Sequence, residues 1–194
     1  MKTLPLVFVA LALVTGCAKQ EQAQPPQQTG QTSITQGKPE GPSNRAAGIT
    51  WKVPSAWMEQ PERQMRIATY MIPVAEGDGD GGECAVFYFG SGQGGDVESN
   101  INRWVSQFES ASKPERSTRE INGMTVHLVS VTGTYLAPAG PMMQSQGKKS
   151  DYHLQGAIVE APEGMVFFKA TGPAKTMHNA EADFNTLLGS IARM

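Results

Sequence analysis

The feature that most limits how this chain can fold is a polar segment that separates two very different parts of it. Residues 18–45 contain seven Gln and four Pro among 28 residues, and Ile34 is their only aliphatic side chain larger than Ala. Such a segment buries too little apolar surface to offset the entropy lost on ordering. We therefore expect residues 17–45 to form a disordered tether, with an end-to-end distance of about 30 Å. The alternative is that its Pro and Gln residues dock on a cell-wall partner.

The amino terminus has the organisation of a secretory signal. Lys2 supplies a positive charge, and an apolar run extends from Leu4 to Val14. This run is too short for a membrane-spanning helix, which needs roughly 20 residues, but it fits the apolar region of a signal peptide. Its end, Leu-Val-Thr-Gly-Cys at residues 13–17, resembles the lipobox of bacterial lipoproteins, in which an aliphatic residue and two small residues precede a cysteine.

The resemblance implies that residues 1–16 are a lipoprotein signal peptide and that Cys17 is lipidated. One acyl chain binds a membrane reversibly, whereas two or three anchor a protein firmly. The expected location is therefore the bacterial cell envelope outside the cytoplasm, with the membrane as a partner. Ala18 stands where lipoproteins of the inner membrane often carry Asp, which favours the outer membrane in a cell with two membranes. The alternative is an ordinary signal peptide with an incidental cysteine.

The rest of the chain, residues 46–194, has the composition of a single globular domain. A chain of about 150 residues buries about 68–70% of its unfolded surface. Without Lys2, the 16 basic residues become 15 against 18 acidic ones, a formal charge of −3. No basic patch is indicated, and nucleic acid is not an expected partner. Of the two cysteines, Cys84 lies in an apolar run and is expected to be a buried small hydrophobe.

The order of the predicted elements favours an α+β fold. Asp96 is a suitable N-cap, and apolar residues follow it at helical spacing. They are Val97, Ile101, Trp104, Val105 and Phe108. Pro173 begins a second helix, which we expect to run to the end of the chain. Because strands and helices do not alternate regularly, we predict an antiparallel sheet of about six or seven strands with two main helices packed on it. Both helices could occupy one face of that sheet.

Turn residues and polar stretches mark the connections between strands. Asn122-Gly123 predicts a tight hairpin between strands at 119–121 and 124–136. We expect the polar stretch 110–119 to be a connector and residues 137–150 to form a long loop, which in a compact domain is often functional or disordered. Trp51 and Trp57, around a Pro turn, are expected to be core anchors rather than a ligand platform.

Five short runs carry a wider resemblance. They are Trp51-Lys-Val-Pro-Ser-Ala-Trp57, Met65-Arg-Ile-Ala-Thr-Tyr70, Asn102-Arg-Trp-Val-Ser-Gln-Phe108, Gly156-Ala-Ile-Val-Glu160 and Phe167-Phe-Lys-Ala-Thr-Gly-Pro173. Together they resemble an uncharacterised group of secreted bacterial proteins and the wider Mog1/PsbP-like class of α/β/α sandwiches. The resemblance implies that fold and a binding or accessory role. It supplies no catalytic residues to transfer.

A glycine-rich run matches the dinucleotide-binding fingerprint. Gly90, Gly92 and Gly95 have its spacing and lie between a predicted strand and a predicted helix. The wider context does not fit, because a polar connector follows the helix where a parallel strand and its acidic residue are required. We therefore expect no cofactor. The run is instead a flexible loop before the N-cap and a candidate recognition loop. Met142 and Met143 are further candidates, since their flexible side chains suit an adaptable contact surface; the alternative is that they are buried against the edge of the sheet.

Two further groups of residues are weak candidates for chemistry. Asp78, Asp80 and Glu83 resemble a fragment of a calcium-binding loop, but calcium takes 6–8 oxygen ligands, and a solvated turn is the main interpretation. The three histidines lack metal-ligand spacing, and we interpret them as surface or satisfied side chains. They are His127, His153 and His178. A Ser-His-Asp site can still assemble from distant positions.

These observations rank the functional classes. The leading hypothesis is a lipid-anchored protein of the cell envelope that acts as a non-enzymatic binding or accessory module, with an envelope protein as a partner. The alternatives are a small envelope hydrolase, which would need a titratable group with a shifted pKa in a cleft, and a carrier of a small ligand, which would need a large apolar cavity.

Overall fold

The structure, a computed structural model, describes residues 44–138 and 145–194. The predictions for the signal peptide, for Cys17 and for the loop residues Met142 and Met143 lie outside these residues. The strands are β1 (Arg45–Ala46), β2 (Ile49–Thr50), β3 (Met58–Glu59), β4 (Ala68–Ile72), β5 (Gly82–Phe87), β6 (Phe108–Glu109), β7 (Glu115–Ile121), β8 (Met124–Pro138), β9 (Ser145–Ala161), β10 (Gly164–Pro173) and β11 (Ala192–Arg193). The helices are α1 (Val97–Val105), α2 (Ala174–Asn179) and α3 (Glu181–Gly189).

Eight of these strands form one antiparallel sheet. Its order is β3-β4-β5-β10-β9-β8-β6, and β7 also pairs with β8. Strands β6 and β7 occupy successive stretches of the same edge of β8, so they lie end to end. A second, three-stranded sheet has the order β1-β2-β11. The predicted α+β class with an antiparallel sheet is confirmed. No helix in the two described ranges is long and apolar enough to cross a membrane.

The central strands of the sheet are buried on both faces, and the helices lie on opposite sides of it. Phe168 of β10 belongs to the core cluster that contains Leu187 of α3, whereas its neighbour Phe167 belongs to the cluster that contains Trp104 of α1. Because successive strand residues point to opposite faces, α1 lies on one face and α3 on the other. We call them the α1 face and the α3 face. The expectation that both helices could occupy one face is therefore wrong, and the layers are helix, sheet and helix.

The two tryptophans are core residues, as predicted. Trp51 and Trp57 are both buried on the α3 face. Trp51 packs edge-on against Phe168, with ring centroids 5.1 Å apart, and its indole Nε1 donates a hydrogen bond to Tyr70 Oη at 3.1 Å. The folded part begins before β2, because β1 occupies Arg45–Ala46. Asn44 Nδ2 donates to the Trp51 carbonyl at 2.7 Å, so the folded part includes residue 44, which the sequence assigned to the tether.

Several elements differ from their predicted limits. Helix α1 has the predicted N-cap, because Asp96 Oδ1 accepts from the Ser99 amide at 2.8 Å, but it ends at Val105. Phe108 continues the apolar spacing yet lies in β6, where it pairs with Tyr135 and packs on its ring. The helical spacing of the apolar residues correctly indicated that Phe108 is buried, but it did not show that the residue lies in a strand.

The connections also differ. The Asn122-Gly123 turn is confirmed, with both residues at positive φ. The polar stretch before it is not only a connector, because β7 starts at Glu115. The predicted loop 137–150 is partly strand, since β8 and β9 extend into it. The terminal helix is divided at Ala180, and it does not reach the chain end because residues 192–193 pair with β2.

A glycine on β9 sets how closely α1 approaches the sheet. A Cβ on Gly156 would lie 2.5 Å from Cζ3 of Trp104 and 2.9 Å from Cγ1 of Val129. We predict that Gly156→Ala lowers the free energy of unfolding by about 1–3 kcal/mol because it overpacks this contact, as measured by urea unfolding. The matched control is Gly189→Ala at the end of α3, where a Cβ meets nothing within 4 Å. An equal loss in both variants would contradict this account.

Candidate functional site

A groove of about 410 Å³ lies on the α3 face, between α3 and strands β7, β8 and β9. The strands contribute mainly polar side chains, among them Glu115, Arg119, Ser130, His153 and Gln155. Helix α3 contributes Glu181, Phe184, Asn185 and Leu188. The groove therefore has a polar wall from the sheet and a mixed wall from the helix.

Strand register brings the polar residues of the sheet together. Ser130 of β8 is paired with Gln155 of β9 on one side and with Glu115 of β7 on the other. His153 lies two residues before Gln155 and therefore on the same face. Further along β8 and β9, apolar residues at positions 126, 157 and 159 belong to the core beneath α2 and α3. The groove thus begins where this face changes from apolar to polar residues.

The groove contains a serine–histidine pair. Ser130 Oγ and His153 Nε2 are 2.8 Å apart and share a hydrogen bond. Burial lowers the pKa of His153 below its ordinary value, and the carboxylates of Glu181 and Glu115 offset this only in part. The imidazole is therefore neutral at pH 7. A neutral imidazole at this distance can accept the hydroxyl proton of Ser130 or donate to its oxygen, depending on the tautomer.

Gln155 provides an unsatisfied acceptor in the same place. The residue is buried, and its Oε1 has no hydrogen-bond partner among the residues that the structure describes. A buried acceptor without a partner costs roughly 1–3 kcal/mol. Since Gln155 lines the groove, a donor group that enters the groove is well placed to recover this energy.

The rim of the groove carries charges of both signs. Arg119 Nη1 donates to Asn185 Oδ1 at 3.1 Å, which joins β7 to α3 across the opening. Glu115 and Glu181 add carboxylates. Together with Ser130, these groups supply both donors and acceptors. The arrangement suits a polar ligand that can make several hydrogen bonds, rather than an apolar one.

The glycine-rich run lies away from this groove, in the loop between β5 and α1. Gly94 has φ of +91°, and a Cβ there would lie 2.9 Å from Phe89 and 3.0 Å from Phe167. The buried Asn100 of α1 holds the loop, because its Nδ2 donates to the carbonyl of Gly94 at 2.8 Å. Gly90, Gly92 and Gly95 also have positive φ. The glycines therefore serve close packing and a tight turn before the helix.

The three carboxylates of the calcium candidate have separate partners. Asp78 Oδ2 accepts from the amide and the hydroxyl of Thr176 at 2.9 and 2.6 Å, at the start of α2. Asp80 accepts from Lys149 at 3.0 Å. Glu83 binds Arg63 and Arg66, each at 2.7 Å. Within residues 44–138 and 145–194, no three His, Cys, Asp or Glu side chains are placed to hold a metal ion.

The remaining candidates lie apart from one another. His127 Nε2 lies 2.8 Å from Glu160 Oε1, and the largely exposed His178 lies 3.9 Å from Glu181. Cys84 is fully buried, as predicted, and burial raises the pKa of its thiol above the ordinary value. A thiol of this kind is inert rather than nucleophilic.

Sequence reasoning missed the groove, although one signal for it exists. In the strand run from Tyr152 to Glu160, polar residues stand at 153 and 155 while apolar residues stand at 157 and 159. This alternation places His153 and Gln155 on the face that is otherwise the core. Their contacts with Ser130 and α3 depend on pairing between distant segments, which the local pattern does not reveal.

The comparisons with known proteins bear on the fold. No protein-family model and no curated protein matches the chain. The solution structure of cyanobacterial PsbP (CyanoP) from Synechocystis sp. PCC 6803 matches with a TM-score of 0.51 at 9% identity, over 76% of this chain and 88% of that one. The chain has a PsbP-like fold. The predicted Mog1/PsbP-like sandwich is therefore confirmed as an architecture.

A second solved structure is more distant. A protein of unknown function from Pseudomonas aeruginosa, PA94, described as a putative regulator, matches with a TM-score of 0.45 at 15% identity. The match covers 75% of this chain and 97% of that one.

The burial of His153 predicts a pH dependence of stability. Its pKa is lowered in the folded state, so the unfolded chain binds a proton more readily near the ordinary value of about 6.5. The stability that the folded state gains by keeping His153 neutral is therefore fully present above about pH 6.5. It is lost as the pH falls through the lower pKa of the folded state. We predict that His153→Asn shows a smaller loss of unfolding free energy between pH 7.5 and pH 5 than the unsubstituted protein.

The matched control is His178→Asn, since that imidazole has 81% of its side chain exposed. Chemical unfolding at each pH measures the effect. The control should lose as much stability on acidification as the unsubstituted protein. If His153→Asn did the same, the buried histidine would not be the source of the pH dependence.

Proposed function

We propose that this protein is a non-enzymatic, lipid-anchored binding or accessory module of the bacterial cell envelope, and that the groove beside α3 is its binding site. The binding site is inferred mainly from Gln155, which lines the groove. Its buried Oε1 has no hydrogen-bond partner among the described residues. A side chain in this state favours binding of a group that donates a hydrogen bond.

The surroundings define the ligand more closely. The neutral His153 and Ser130 offer hydrogen bonds, and the rim offers Arg119 and Asn185. The apolar side chains of Phe184 and Leu188 line the groove from the helical side. A groove of about 410 Å³ is of the size that takes a small polar ligand or a few residues of a partner chain. We propose a polar ligand group of this kind, presented by an envelope partner.

Photo-crosslinking in intact cells tests the groove. A benzophenone amino acid replaces Asn185, which is exposed and lines the groove. The control position is Thr186, the next residue of α3, which is exposed but does not line the groove. We predict one discrete crosslinked product at position 185, reduced at least about tenfold when Gln155→Leu removes the acceptor, since a lost buried hydrogen bond costs about 1.5 kcal/mol. The same product at position 186 would count against the groove.

The anchor rests on the lipobox resemblance at residues 13–17. An acylated Cys17 would gain about 0.8 kcal/mol for each CH₂ buried in the membrane. We predict that Cys17→Ser moves the protein from the membrane fraction to the soluble fraction after alkaline extraction, and that the intact mass of the unsubstituted protein includes acyl chains. Cys84→Ser is the matched control. The anchor would be removed from the proposal if Cys17→Ser stayed in the membrane fraction and the unsubstituted protein carried no acyl mass.

A hydrolase is the second candidate, because Ser130 and His153 have the distance of a nucleophile and its base. In that mechanism Nε2 of His153 would take the proton of Ser130, and a third group would orient the imidazole. A fluorophosphonate probe separates the two functions. Covalent labelling of the intact protein at Ser130, lost in His153→Asn, would favour the hydrolase over the binding module.

A further inference from the structure

A partly buried lysine lies on the opposite face of the sheet, outside the groove. Lys169 of β10 is half-buried on the α1 face, two residues after the buried Phe167. It lies close to the carboxyl end of α1, where Gln107 follows the helix. Because the position is on the other side of the sheet from the groove, a site at Lys169 is independent of the proposed function.

The contacts of the ammonium group are all with neutral partners. Lys169 Nζ donates to Gln107 Oε1 at 2.5 Å and to Tyr135 Oη at 3.3 Å. It also lies 5.4 Å from the centroid of the Tyr135 ring. A lysine ammonium has three donors, and no carboxylate in the described ranges lies within salt-bridge distance of this one. One donor of Lys169 therefore has no partner in these contacts.

The neighbouring charges leave the site positive. Burial is the main cause that lowers the pKa of Lys169 to about 8, with smaller effects from Arg66 and Arg103 in the same direction. Glu83 opposes them, but both of its oxygens already bind arginines, Arg63 and Arg66. With this pKa, about nine-tenths of the Lys169 side chains are charged at pH 7. Lys169 thus keeps its charge although the carboxylate of Glu83, which favours that charge, already binds two arginines.

Aromatic side chains form the rigid side of this site. The rings of Tyr135 and Tyr152 are stacked with centroids 5.8 Å apart, and Phe108 packs on Tyr135 from β6. Tyr152 Oη in turn donates to Asp80 Oδ2 at 3.2 Å, which is also bound by Lys149. The hydroxyl of Tyr135 is therefore held in place beside Lys169. Fixed donors around a partly desolvated cation favour an anion over water.

We propose that Lys169, with the Tyr135 hydroxyl beside it, forms a binding site for one small anionic group, a carboxylate or a phosphate. The anion supplies the missing acceptor for the ammonium group and balances the excess of positive charge. The groove on the α3 face does not take part, so this would be a second site on the same domain.

The test measures the thermal unfolding of the full-length protein with sodium acetate or inorganic phosphate, at constant ionic strength set with sodium chloride. A ligand that binds the folded state raises the melting temperature with its concentration. We predict a saturable increase at pH 7 with at least one of the two anions. The difference between the acetate and phosphate series identifies the chemistry of the anionic group. No saturable increase with either anion would overturn the proposal.

Two further arms assign the effect to Lys169. Acetate keeps one charge between pH 7 and pH 9.5, whereas a lysine with a pKa of about 8 loses its proton over this range. The apparent affinity of the protein for acetate should therefore fall about 30-fold.

The variants test the same residue directly. Lys169→Met should abolish the increase in melting temperature at pH 7, and Lys113→Met, which alters an exposed lysine, should retain it. An anion effect that persists in Lys169→Met or stays constant up to pH 9.5 would also overturn the proposal. The pH arm needs no variant, so it decides the matter even if Lys169→Met folds poorly.

Discussion

Burial of β10 on both faces is the constraint on which the rest of the structure is built. Phe168 packs against Trp51 beneath the carboxyl-terminal helices, and Phe167 packs edge-on against Trp104 of α1, with centroids 6.5 Å apart. Because neither face of this strand is exposed, each needs its own cover. The two helical layers, the separation of the two core clusters and the close contact at Gly156 all depend on this arrangement.

Each candidate site lies where the apolar alternation of a central strand is interrupted. On β9, His153 and Gln155 replace the apolar residues that α2 and α3 cover further along the strand. On β10, Lys169 follows Phe167 on the α1 face. A polar side chain that is buried in a central strand must find a partner or lose stability. On β9, Gln155 Oε1 has no partner among the described residues, and on β10 the Lys169 ammonium has only neutral ones.

Local signals in the sequence predicted much of the fold. Asp96 identified the start of α1 and Asn122-Gly123 the central hairpin, because a cap and a type I′ turn are determined within a few residues. The end of α1 was not predictable, since Phe108 is buried equally well on a strand beside Tyr135. The groove was also missed, because Ser130, Gln155 and Asn185 meet only through long-range pairing. The lysine site was missed for the same reason.

The central claim is that the groove binds a ligand through Gln155. Native mass spectrometry of the protein, gently extracted from its own membranes, is the decisive experiment. We expect an added mass on the unsubstituted protein that is absent from Gln155→Leu and retained by Lys113→Met, which changes an exposed lysine. An added mass that persists in Gln155→Leu, or an unsubstituted protein that carries none when its yield and fold are intact, would contradict the claim.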